Sequence, residues 1–129
     1  IFGTRKIWRG EVQIDLSDPS RTILDLLDDP AMGGGIRHVS EVLTTYFTSE
    51  SRDDDQLASY AARLGNRTVW KRLGFLLERL EIEAPGLVDR AERELSRGVS
   101  LLDPSAPARG RMVSRWNLRL NVDVKRARE

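Results

Sequence analysis

The sequence predicts an α+β fold, a central bundle of about five helices packed against a small, mainly antiparallel sheet built from N- and C-terminal strands. Three observations carry that expectation. Apolar and polar residues alternate near both ends, at Trp8, Val12, Ile14 and Leu16 and again at Trp116, Leu118, Leu120, Val122 and Val124. Such a period of two marks a strand with one buried face. Between the two runs, apolar residues recur at three- and four-residue spacing, the period of a helix with one buried stripe. Cap and breaker residues punctuate that middle region where helices should start and stop.

The elements follow in order. Gly10 interrupts the first strand and suggests a bulge. Asp18-Pro19 opens a short helix, because the Asp side chain can accept a first-turn N–H and Pro suits the first position. Ile23, Leu26 and Leu27 form its apolar face, and Asp29-Pro30 closes it. Gly33-Gly34-Gly35 is a turn into a second helix with the stripe Ile36, Val39, Leu43, Tyr46 and Phe47. Asp53-Asp54-Asp55 starts a third, where carboxylates meet the unpaired N–H groups of the first turn, and Leu57, Tyr60, Ala61 and Leu64 face inward. Gly65-Asn66 leads to a fourth helix from Arg67 to Leu80, with the stripe Val69, Leu73, Leu76, Leu77 and Leu80 and with Trp70 at its edge. Pro85 starts a fifth, which carries Leu87, Val88, Ala91 and Leu95 and ends at Gly98. Val99, Leu101 and Leu102 suggest a short buried strand, and Pro104, Pro107 and Gly110 a loop before the final strand.

A chain of 129 residues suits one domain spanning 1–129. Such a chain buries roughly 65–70% of the surface its unfolded form exposes, enough for a core without staples. There is no cysteine, which removes disulfides and cysteine-ligated metals and fits a cytoplasmic location best. No run approaches the ~18 apolar residues of a membrane span, and no signal peptide opens the chain. The start at Ile1, inside a strand-like run, leads us to expect a fragment of a longer protein.

Net charge is only +1, but the charges segregate. Arg109 to Glu129 holds seven basic and two acidic residues, and Arg63 to Arg72 holds four basic residues and no acid. Such a distribution either creates a local field for an anionic partner or simply solvates two faces.

Few residues suggest chemistry. His38 is the only histidine and has no H-E-x-x-H context, which leaves neither a zinc site nor a paired general base. Gly33–Gly35 before a helix could cradle a phosphate, but the Lys-Ser/Thr of a P-loop is missing, and a flexible turn explains it better. Asp53, Asp54 and Asp55 point about 100° apart on a helix, which suits a cap and not a metal. No G-x-S-x-G elbow occurs among the ten serines. Catalysis and cofactors therefore have no support.

Binding has more. Leu57 to Gly65 followed by Val69, Leu73 and Leu76 looks like a helix-turn-helix, with Arg63 in the first helix and Arg67, Lys71 and Arg72 outward on a basic second helix. The turn is about two residues short for that motif, so a packed helical hairpin is the better reading. Arg109-Gly110-Arg111-Met112-Val113-Ser114-Arg115-Trp116-Asn117 sets arginines beside an aromatic. It is either a phosphate- or base-binding segment or a loop whose arginines reach the surface. Arg63, Arg67, Lys71, Arg72, Arg109, Arg111 and Arg115 are thus the candidate DNA contacts.

Six segments, taken in order, resemble one family. They are Ser17 to Asp28, Gly33 to Ile36, Ala61 to Arg67, Arg72 to Glu78, Leu101 to Pro104, and Ser114 to Val122. Together they are similar to the C-terminal domain of AbiEi antitoxins, from type IV (abortive infection) toxin–antitoxin systems. The likeness runs from Gly3 to Val122. It implies a bacterial protein in which an N-terminal winged helix-turn-helix represses the operon and the C-terminal domain is associated with antitoxicity and an added basic surface for DNA. It implies a nucleotidyltransferase toxin as functional partner. The G-S…D-x-D pattern of that toxin is missing here, and the winged-helix half is outside this sequence. The rival expectations are a DNA-binding regulator without a toxin partner and, less favoured, an enzyme acting on nucleotides or phosphoesters.

Overall fold

The computed structural model describes residues 4–9 and 12–126, with side chains from residue 18 onward. The fold is α+β, with five α-helices and short strands among the described residues. Strand β1 (Thr4–Arg9) pairs antiparallel with β2 (Val12–Ser17), Ile7 opposite Ile14. The run expected as one strand is therefore two. The expected bulge at Gly10 lies outside the described residues.

Helix α1 (Pro19–Asp28) starts as the sequence implies, with the Asp18 carboxylate accepting from Arg21 N at 2.9 Å. Asp29, before Pro30, leaves the helical conformation and ends it (φ −136°, ψ 84°). A 3-10 turn (Pro30–Gly33) and two positive-φ glycines, Gly34 and Gly35, then reverse the chain into α2 (Ile36–Phe47). Asp53 caps α3 (Asp54–Leu64), left-handed Gly65 ends it, and the Asn66 side chain caps α4 (Arg67–Arg79). Helix α5 (Pro85–Arg93) stops short of the expected Gly98. The chain beyond it has other partners: Asn117 Nδ2 donates to Ser96 O, and Lys71 Nζ donates to Gly98 O.

Three short strands close the fold. β3 (Ser100–Leu101) runs parallel to β5 (Leu118–Leu120), and β4 (Arg111–Val113) is antiparallel to β5 on its other side. Among the described residues, the N- and C-terminal strands therefore form two sheets, not the one expected. A two-residue connection lets β1 and β2 pair at far lower loop-closure cost than a partner a hundred residues away. The expected long final strand shrinks to three residues because Trp116 and Asn117 belong to a tight turn, with Asn117 at φ 50°.

Helix α4 is the axis of the core. It packs on α1 and α5, and every residue from Val69 to Leu77 is buried. A helix covered on all sides belongs to an interior, whatever its polar residues. Trp70, expected at the edge, is 1% exposed beneath the Arg90 guanidinium. From the C-terminal side, Leu102, Trp116, Leu118 and Val124 complete the same core.

Candidate functional site

The structure divides the seven candidate DNA contacts. Arg63, Arg67, Arg109 and Arg111 are exposed. Lys71 and Arg72, expected outward, are 1% and 4% exposed, which corrects that expectation. Lys71 donates to Gly98 O and to Ser100 Oγ (3.0 Å), and its ammonium is held below the usual lysine range by burial and then by Arg72. Arg72 donates to Leu27 O at 2.8 Å and Leu101 O at 3.1 Å, tying the end of α1 to β3. Burial lowers its pKa too, against the pull of Asp28 and Asp103. Both cations are structural ties, because backbone carbonyls replace the water they lost. Neither can reach a phosphate.

Arg115 is exposed but engaged. Its guanidinium donates to Glu78 at 2.7 and 2.8 Å and to Glu92 at 2.8 Å, while Trp116 Nε1 donates to Glu78 Oε1 at 2.7 Å. The Arg115 hydrogen bonds are the chief reason that the Glu78 carboxyl sits below its ordinary range, and the same pairing raises the arginine. Arg115 and Glu78 thus clamp the β4–β5 turn to the last turn of α4. Arg67 stands at the opposite end of that helix, about 16 Å away along the axis at 1.5 Å per residue. Arg67 and the Arg115 clamp therefore stand at opposite ends of α4.

The other candidates resolve as structure. The triple glycine offers no phosphate cradle: Gly34 N and Gly35 N donate to the Ala31 and Pro30 carbonyls, and the next N–H, that of Ile36, donates to an internal carboxylate, Asp103 Oδ2, at 2.9 Å. Burial alone would raise the Asp103 carboxyl; hydrogen bonds from Ser105 and from Ile36 N outweigh it and hold the pKa low. Asp53 caps α3, and Asp54 pairs with Arg52 at 2.8 Å. His38 is exposed, with Glu41 Oε2 3.5 Å from its Nδ1. Burial of α4 agrees with a packed helical hairpin and not with a recognition helix.

A cleft of about 630 Å³ with four arginines in its lining lies beside the clamp. The C-terminal turn of α4 contributes Phe75, Glu78 and Arg79, with Glu81 just beyond it. Arg111 and Val113 come from β4, Leu120 from β5, and Arg126 from the tail, with Arg115 and Trp116 on the clamp side. Arg79 stacks on Phe75, its Cζ 5.5 Å from the ring centroid, and its buried Nε has no hydrogen-bond partner. Sequence reasoning missed Arg79 and Arg126. Arg126 was within the basic tail but without a local motif, and Arg79 follows the last buried turn of a helix whose basic residues drew attention to its other end.

Among the described residues no helix is long and apolar enough to cross a membrane. Comparison of the chain with protein-family models, curated proteins and solved structures gives no match.

Proposed function

We propose that this chain is the C-terminal domain of an AbiEi-type antitoxin, a bacterial cytoplasmic protein that counters a nucleotidyltransferase toxin and represses its own operon. It works by binding, not by catalysis. The supporting observation is that the six segments carrying the resemblance interlock in space. Arg72 of the fourth segment holds Leu27 of the first and Leu101 of the fifth. Asp103 of the fifth caps Ile36 of the second, and Asn66 of the third donates to Asp28 of the first. Trp116 of the sixth packs on Gly74 and bonds Glu78, both of the fourth.

In this reading DNA contact is auxiliary and sequence-independent, and falls to exposed Arg63, Arg67, Arg109 and Arg111. The test is co-expression with the neighbouring nucleotidyltransferase gene, scoring growth with the whole antitoxin and with a version lacking this domain. Rescue only when the domain is present is the expected result. Equal rescue without it, or no toxic gene beside this one, overturns the reading.

A further inference from the structure

We propose that the cleft at the C-terminal end of α4 binds a nucleoside polyphosphate, with Arg79, Arg111 and Arg126 on the phosphates and Phe75, Val113 and Leu120 against the base. This goes beyond the antitoxin reading and does not depend on it. Three separate elements bring these guanidinium groups to one hollow, and among the described residues none of the three has a carboxylate partner. Gathering like charges is unfavourable without a counter-charge. Arg115, the fourth arginine, is already matched by Glu78 and Glu92, so it shapes the wall and adds no free charge.

Arg79 is the most specific of the three. Stacking on Phe75 fixes its plane, and its buried Nε lacks an acceptor. That Nε is covered by protein, so a ligand would be met by the rest of the guanidinium, on a residue that lines the cleft. An anionic oxygen is the acceptor that a planar guanidinium fork matches best. Size and lining then narrow the anion. A volume of about 630 Å³ exceeds what one phosphate needs and lies within the range of small-molecule sites. The apolar side chains offer a surface for a flat ring, not for a further phosphate.

Isothermal titration calorimetry of this chain with ATP tests the proposal, with AMP and inorganic tripolyphosphate as the two halves of the ligand. ATP should saturate one site per chain, and each half should bind about tenfold more weakly or worse. Arg111→Ala with Arg126→Ala should weaken ATP by about tenfold or more at unchanged melting temperature, because both side chains are exposed. Arg67→Ala, outside the cleft, should change nothing. The proposal is overturned by the lack of saturable binding up to ~1 mM ATP. Equal weakening by Arg67→Ala also overturns it, as does tripolyphosphate binding as tightly as ATP. A thymidine oligonucleotide held by Arg111 and Arg126 more tightly than ATP would make the cleft a strand site instead.

Discussion

The ring of Trp116 fills the space in which residue 74 would carry a side chain: a Cβ on Gly74 would stand 2.5 Å from two of its carbons. The indole cannot retreat easily, since Nε1 is bonded to Glu78 and the Arg115 guanidinium lies 4.7 Å from the ring centroid. Gly74→Ala should therefore destabilise the chain by about 1–3 kcal/mol, the usual range for overpacking, despite the better helix propensity of Ala. Trp116→Ala should cost about 3–5 kcal/mol. In a Trp116→Leu background the alanine at 74 should lose most of its cost. Urea denaturation of the four variants measures this, and strictly additive effects would mean that the two residues do not share the space.

Much of this fold was legible in the sequence, and the parts that were not share a cause. Asp18, Asp53 and Pro85 mark helix starts by local chemistry, and the stripe from Ile36 to Phe47 is buried as its spacing implies. Lys71 and Arg72 misled because a cation's burial depends on distant carbonyls, here Gly98, Leu27 and Leu101, that no local pattern reveals. β4 is Arg-Met-Val, too short for alternation to register. The cleft unites α4, β4, β5 and the tail, so only the tertiary fold could assemble it.

The two buried cations should respond differently to truncation. Arg72→Met leaves the carbonyls of Leu27 and Leu101 without their donor, at about 1–3 kcal/mol for each buried group. Lys71→Met is milder, because Gly98 is exposed and water can replace the ammonium there. Its signature is pH. Lys71 titrates below its ordinary value of 10.5 in the folded chain, so the unfolded chain binds more protons in the window between the two values. Stability of the parent should rise with pH across that window relative to Lys71→Met. Matched denaturation curves toward pH 10.5 would show the gap changing in favour of Lys; a constant gap would mean that the ammonium is not desolvated.

Glu78 should show a dependence of the same sign, in an acid window instead of an alkaline one. Its folded pKa is depressed from 4.5, mainly by Arg115, so the clamp contributes fully above that value and is lost as pH falls through the lower folded one. Glu78→Gln keeps an acceptor for Trp116 but loses the charge that Arg115 pairs with. The variant should be less stable than the parent at neutral pH and converge with it in acid. Thermal melts between neutral pH and ~pH 3 decide this, and curves that stay parallel would remove the clamp from the stability of the fold.

Any contact with DNA depends on where each cation points. Cations that neutralise phosphates release counterions, and removing one such cation should reduce the magnitude of the log–log salt slope by about 0.9. Arg67 and Arg109 are exposed and, among the described residues, have no side-chain ion pair, so Arg67→Ala and Arg109→Ala should each lower the slope by about that amount. Both should weaken operator and random duplex alike, because phosphate contacts do not read sequence. Lys71→Met changes the same formal charge but removes a group that faces Gly98 and Ser100, and should leave slope and affinity as they were. Arg115→Ala is the discriminating control, since it removes a cation already matched by Glu78 and Glu92. Fluorescence anisotropy across a salt series, on the full-length protein that the proposed antitoxin reading expects, separates these outcomes. A slope that falls with Lys71→Met would show that α4 opens on DNA; a slope untouched by Arg67→Ala and Arg109→Ala would remove these exposed arginines from DNA binding.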